Sequence, residues 1–365
     1  MELQDIPHNR LLSQKILNKA SARPEDIVHH LGAMQAQDYQ NALWAIGLRC
    51  KEGTSIYDVQ SAISERKIVR TWLMRGTLHF ASASDIRWML KLFAPRLRST
   101  ALKRDRNLGL SDEIVEKTKS LFSKALYGGK QLSRHDMYKV MEKGGVPAGN
   151  NLGYHMLYRA VWDGLICFGA HYGKQPTFAL LDEWLTEQSK QQLQDKGLSE
   201  LAIRYFTSHG PATLKDYVWW SGLKVSDARI GIEAATGLTE EKIENNTYYF
   251  PKRMPKMEDS KRVFMLPAFD EYLISYTNRS AILSNKSTKG TIKNSKYVFA
   301  HSNGIFLPTI IVNGEVVGTW GRKSTKGKVV ITVKLFAKLD REQKQEMKEE
   351  IDKYGRFLET EAVLH

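Results

Sequence analysis

Two glutamines separated by one small apolar residue, Gln35-Ala36-Gln37, stand in the stretch Leu31-Gly-Ala-Met-Gln-Ala-Gln-Asp-Tyr-Gln40. A carboxamide both donates and accepts hydrogen bonds, so such a pair can orient a water or a hydroxyl group. It barely deprotonates one, because an uncharged amide is a poor general base. The same two residues also read as plain surface glutamines in a turn. A second stretch, Val69-Arg-Thr-Trp-Leu-Met-Arg-Gly-Thr-Leu-His-Phe80, carries Arg70, Arg75 and His79, which suit phosphate oxygens or a structural ion pair. Trp72 and Leu78 in it read first as core. A third stretch, Leu266-Pro-Ala-Phe-Asp-Glu-Tyr-Leu273, offers the carboxylate Asp270, which can support a positive charge in a site or anchor a junction between domains. Arg279 and Arg322, with Lys323, Lys326 and Lys328, fit a solvated basic hairpin touching phosphate.

Other chemistries find no residues. Gly321 to Lys328 has one residue too many between its glycines for a phosphate-binding loop, and Val329 stands where a hydroxyl is needed. No GxGxxG follows a strand, and neither HExxH nor GxSxG occurs. His29-His30 lacks acid or thiol ligands at metal spacing, so no metal or cofactor is expected.

The elements that must position these residues follow from capping and periodicity. Residues i and i+2 lie roughly 200° apart on a helix but share a side in extended chain, so Gln35 and Gln37 converge only where a helix has ended. They are expected in or beside a turn after a helix opened by Pro24-Glu25-Asp26, with Asp38 capping the next. Ser55 with Asp58, Ser82 with Asp85, Ser133 with Asp136 and Thr213 with Asp216 fit further helix starts. Ile86, Met89, Leu90, Phe93 and Leu97 form a helical stripe that Pro95 should bend or end.

After certain helices the period changes to two. Strand pairs are expected at 68–80 about Gly76, at 165–181, and at 243–250 with 262–266 around a Pro/Lys-rich loop. Two short helices, a third helix (roughly 55–66, 151–163 and 225–236) and a hairpin thus recur about three times. That is the winged-helix form of helix-turn-helix. Beyond it, short β runs at 261–266, 296–299, 309–311, 315–320 and 328–335 with Asn313-Gly314 and Lys326-Gly327 turns predict a small antiparallel β domain. A charged helix from about Arg341 to Glu359 closes it. The fold class is α+β, mainly α: winged-helix domains at 1–110 (with a helical linker), 111–190 and 191–266, then a β domain at 267–365.

The 365 residues, 42% hydrophobic and 26% charged, exclude disordered and collagen-like classes and leave room for several cores. No apolar run reaches a membrane span, the N-terminus has no signal-peptide core, and Cys50 and Cys167 form no framework, which points to the cytoplasm. The charge of +14 is concentrated: Arg66 to Arg106 has eleven basic residues and two acids, and Arg279 to Lys338 has eleven and one, so the rest of the chain is net negative. Two confined basic segments are a footprint for a polyanion such as nucleic acid.

Taken together, the three quoted stretches resemble the AlkZ/YcaQ-type winged-helix DNA glycosylases, in the expected order and over most of the chain. The resemblance implies three tandem winged-helix domains plus a C-terminal β domain, and metal-free hydrolysis of the N-glycosidic bond of alkylated purines, including bulky adducts and interstrand crosslinks. The family's catalytic signature is Gln, an apolar residue, then Gln or Asp, so Gln35 and Gln37 match its AlkZ branch. They would hold the attacking water and the sugar, with Arg70, Arg75, His79, Arg279, Arg322 and Lys323 on DNA and Asp270 and Trp72 in support. Double-stranded DNA is the expected partner, with no membrane, no cofactor, a monomer, and a cytoplasmic, nucleoid-associated location. The competing reading is a tandem winged-helix transcriptional regulator that only binds DNA, which has no use for Gln-Ala-Gln.

Overall fold

The computed structural model describes residues 1–17, 22–173, 175–185, 197–254, 262–283, 299–300 and 305–365. The chain is a mixed α and β protein whose sheets are almost wholly antiparallel. It divides into two compact units, one formed by Met1–Gln60 with Ser199–His365 and the other by Ser61–Leu198.

The first unit begins with α1 (Ile6–Ser13), α2 (Pro24–Leu31), β1 (Ala33–Gln35) and α3 (Tyr39–Gly47), and the boundary to the second falls within α4 (Ile56–Ser64). Pro24 occupies the first turn of α2, where its missing N–H costs nothing, and Glu25 and Asp26 face the positive helix end. Gly32, at φ +75°, stops the helix in a conformation that other residues resist. Asp38 caps α3 by accepting the Asn41 N–H at 3.1 Å, and Ser55 with Asp58 forms the expected box ahead of α4.

The second unit continues with β2 (Ile68–Leu73), β3 (Thr77–Ser82), α5 (Ile86–Asn107), α6 (Asp112–Leu126), β4 (Leu132–Ser133), α7 (Arg134–Lys143), α8 (Leu152–Trp162), β5 (Ile166–Tyr172), β6 (Gln175–Leu180) and α9 (Leu181–Trp184). Its strands run side by side in the order β3-β2-β5-β6-β4. Trp72 sits in an aromatic core, 4.2 Å from the Tyr158 ring and 4.9 Å from that of Phe168. Helix α5 runs on through Pro95, which removes one ladder hydrogen bond without ending a helix anchored by Phe93 and Leu97. One local expectation is corrected: Ser82 does not cap α5, being the last residue of β3, with its hydroxyl paired to that of Ser84.

The chain returns to the first unit through α10 (Gly197–His209), β7 (Ala212–Thr213), α11 (Leu214–Ser221), α12 (Val225–Glu233), β8 (Leu238–Ile243) and β9 (Asn246–Pro251). Thr213 and Asp216 form a full capping box on α11. The third hairpin is therefore 238–251, turning at Glu244 with φ +52°, and not 243–250 paired with 262–266. Val263–Leu266 is claimed instead by the last sheet, where it pairs with Thr309–Val312, because both faces of that apolar run are buried.

That sheet comprises β10 (Val263–Leu266), then, after α13 (Glu271–Ile274) and the small pair β11 (Phe299–Ala300) and β12 (Ile305–Phe306), β13 (Thr309–Val312), β14 (Glu315–Thr325) and β15 (Lys328–Leu335). Helix α14 (Arg341–Phe357) follows, and β16 (Glu361–Leu364) adds a strand parallel to β15 that periodicity did not suggest. The strand expected at 296–299 lies outside the described residues except for Phe299. Asn313 and Gly314, both at positive φ, make the predicted hairpin turn. Trp44 of α3 packs on Tyr354 and Phe357 of α14, each ring 5.0 Å away, and donates its indole N–H to the Met265 carbonyl at 3.0 Å. Helix α3 is thus locked against the β sheet, and the segment preceding it is fixed with it. Among the described residues no helix is long and apolar enough to cross a membrane.

Candidate active site

Gln35 ends β1, and Gln37 lies in the short bend before α3. Ala36 between them is fully buried, whereas Gln35 is half-buried and Gln37 exposed. Gln35 and Gln37 are thus both more accessible than the Ala36 between them, the alternation that a near-extended chain gives to residues i and i+2. The backbone N–H of Gln35 donates to Oε1 of Glu271 at 2.7 Å.

Glu271 is the first residue of α13 and is buried. Its other oxygen, Oε2, accepts from the Trp220 indole N–H at 3.1 Å and from the Ser275 hydroxyl. His209 Nε2 stands 3.6 Å from the same oxygen. Burial by itself raises the pKa of this carboxyl, but His209, Ser275 and the Gln35 N–H outweigh it and bring it down to about 2. His209 shifts down because burial disfavours its cation, and its ring stacks on Tyr205 with centroids 4.8 Å apart.

Asp270 is occupied structurally. It receives Arg49 at both ends, Nη2 to Oδ1 at 2.7 Å and Nη1 to Oδ2 at 2.8 Å, and both side chains are completely buried. It also caps α13 through the Tyr272 N–H at 2.9 Å. Arg49 is held further by the Gln14 and Ala45 carbonyls. Asp270 thus anchors the turn from which Glu271 reaches Gln35.

The expected DNA contacts divide. Arg70, on β2, and His79, on β3, are only 7% and 1% exposed, and β2 is paired on both edges, with β3 and with β5, so it is no free wing. The Arg70 guanidinium lies 5.2 Å from the Phe168 ring centre, and His79 Nδ1 contacts the Thr77 carbonyl at 2.8 Å. Both side chains are therefore buried rather than set on an exposed wing. Arg75 is half-buried at the turn, and Trp72 belongs to the aromatic core described above. In the first unit, Arg279 is half-buried with its Nε on the Leu273 carbonyl at 2.7 Å, and burial lowers its pKa to about 10. Arg322 is bonded to the Tyr354 hydroxyl, while Lys323, Lys326 and Lys328 are exposed along the β14–β15 hairpin. The lysines of the basic segment between 284 and 298 lie outside the described residues.

Sequence reasoning missed Glu271, His209, Ser275, Trp220 and Arg49. Glu271 had a signal: Asp is a strong N-cap, so Asp270 at the start of a helix is occupied locally and the next carboxylate is the one free to reach out. His209 and Trp220 meet it only through long-range packing, which leaves no local trace. Among the described residues, no three His, Cys, Asp or Glu side chains converge as metal ligands.

Comparison with known proteins identifies the family. The sequence matches the family described as "DNA glycosylase AlkZ-like" over residues 28–357. It is 22% identical, over 85% of each chain, to the "Interstrand DNA cross-link repair glycosylase" of Streptomyces sahachiroi. The fold is similar to that of the solved Streptomyces sahachiroi DNA glycosylase AlkZ, with a TM-score of 0.79 at 20% identity and 100% of both chains covered. The chain belongs to the AlkZ-like family and is a DNA glycosylase.

Proposed function

We propose that this glycosylase hydrolyses the N-glycosidic bond of N7-alkylated purines in duplex DNA, bulky and crosslinked lesions included, with Gln35 and Gln37 holding the attacking water and the sugar. The observation that carries the reading is the Gln35-Ala36-Gln37 segment at the end of β1, with Ala36 buried, both glutamines more accessible than it, and the Gln35 N–H held by Glu271. An N7-alkyl purine is already cationic, so its bond to C1′ breaks without a proton donor. The bonding pair leaves with the base and neutralises it, and the sugar becomes oxocarbenium-like. Water adds its oxygen at C1′ and loses a proton to solvent. Amides that orient this water suffice for such a leaving group, and unmodified bases are spared because they leave poorly. No metal is needed in this scheme.

Support for the lesion class comes from the crosslink-repair name of the Streptomyces relative. Exposed Lys323, Lys326 and Lys328, together with Arg75, Arg279 and Arg322, are the proposed contacts to the phosphate backbone. The recurring helix–hairpin pattern is read as three winged-helix domains (1–110, 111–190 and 191–266) ahead of a β domain (267–365), acting as a monomer on nucleoid DNA in the cytoplasm. The test is release of free N7-methylguanine from a duplex that contains it, with bulkier adducts and crosslinks alongside. Release from any of them is the expected result. No release, with one undamaged sequence bound ~10³-fold more tightly than random duplex, overturns the reading in favour of a regulator.

A further inference from the structure

We propose that Glu271 is the positioning residue of the glutamine pair: its buried carboxylate fixes the backbone of Gln35 and thereby aims the Gln35 amide at the reacting sugar. The inference rests on the function proposed above. It begins from the contact between Gln35 N and Glu271 Oε1, 2.7 Å long and joining residues 236 positions apart. Strand β1 is only three residues long and Gln35 is its last residue, so the contact to Glu271 falls where the strand ends.

That acceptor is itself immobilised at both ends. The turn before it is clamped by the Arg49–Asp270 pair, and its second oxygen is held by Trp220 and Ser275. A swing of Oε1 away from Gln35 would also pull Oε2 from Trp220 and Ser275 in a buried site, where an unsatisfied donor is costly. The support therefore runs from Arg49 through Asp270 and Glu271 to Gln35, all within one compact unit.

The chemistry of the site also explains why a carboxylate stands there. Gln35 N–H, Trp220 Nε1–H and the Ser275 hydroxyl all point hydrogens at it, so it must be a pure acceptor. Glutamine has the same shape but would set its NH2 group against one of those donors. The depressed pKa agrees with an ionised carboxylate at this position.

A double-mutant cycle separates positioning from mere structural support. Glu271→Gln in the wild-type background should lower the single-turnover rate of N7-methylguanine release by ~10- to 100-fold, the scale of an ångström-sized misplacement, with DNA affinity unchanged. In a Gln35→Ala background the same substitution should change the rate by less than ~2-fold, since there is no amide left to aim. An equal factor in both backgrounds would mean that Glu271 only maintains the fold, and would overturn the proposal. If Gln35→Ala alone leaves the rate untouched, the glutamine-pair reading has failed first, and the two failures are thereby told apart. Trp220→Phe guards against a Glu271 variant that does not fold. It keeps the carboxylate and frees one end of it, and should give a smaller loss of rate with the same dependence on Gln35.

Discussion

Replacing Asp270 by alanine probes how the floor of the candidate site is held. The substitution leaves the Arg49 guanidinium in a completely buried position without its counter-charge. Breaking a buried pair from one side costs about 3–5 kcal/mol, and loss of the N-cap on α13 adds about 1 kcal/mol. Arg49 keeps the Gln14 carbonyl, the Gln14 side-chain oxygen and the Ala45 carbonyl as acceptors, and these offset part of the loss. The lower end, about 3 kcal/mol, is therefore expected. Urea unfolding followed by tryptophan fluorescence is a suitable assay, because Trp44 and Trp220 are buried in the same unit. A companion variant carrying Arg49→Met and Asp270→Leu removes both charges and should recover most of the stability, since apolar replacement of a buried pair is close to neutral. A cost below about 1 kcal/mol for Asp270→Ala would refute the reasoning, as would a double variant as unstable as the two single losses added.

Other expectations are briefer. Burial brings the pKa of His30 down to about 4, while its Nε2 contacts the Ser13 carbonyl at 2.7 Å. A histidine kept neutral by folding stabilises fully above its unfolded pKa of 6.5 and loses that contribution as pH falls toward 4, here about 2 kcal/mol after allowance for partial exposure. Melting curves between pH 7 and 4 should accordingly show less acid destabilisation in His30→Gln, and an unchanged slope would contradict the assignment. Gly47→Ala puts a methyl 2.3 Å from the Phe357 ring and should destabilise by about 1–3 kcal/mol, read as a lower urea midpoint. Lys323→Ala should reduce the slope of log affinity against log salt for undamaged duplex by about 0.9 if that exposed side chain meets a phosphate.

How much of this was legible in the sequence follows from the range of each interaction. Asp38, Ser55, Ser133 and Thr213 act on backbone within three residues, so their helix starts could be read directly, and Asn313-Gly314 fixed its hairpin in the same way. The placement of Gln35 and Gln37 beside a bend after the Pro24 helix was legible from their i, i+2 spacing. Pairing between distant strands was less accessible. Nothing local to Val263–Leu266 distinguishes a wing strand from an edge of the last sheet, and the choice is made by Thr309–Val312 over forty residues later. The burial of Arg70 had a related cause, because β5, which covers the second edge of β2, lies about a hundred residues downstream. Glu271 was overlooked for its neighbour Asp270, since the sequence shows two adjacent carboxylates but not that Arg49 takes the first.

The central claim is that Gln35 and Gln37 carry the chemistry, and base release from N7-methylguanine duplex by the wild type beside the Gln35→Ala, Gln37→Ala double variant tests it most directly. Loss of release by ~10²-fold or more, with duplex affinity and melting temperature unchanged, is the predicted result. A double variant that releases the base as fast as the wild type would contradict the account.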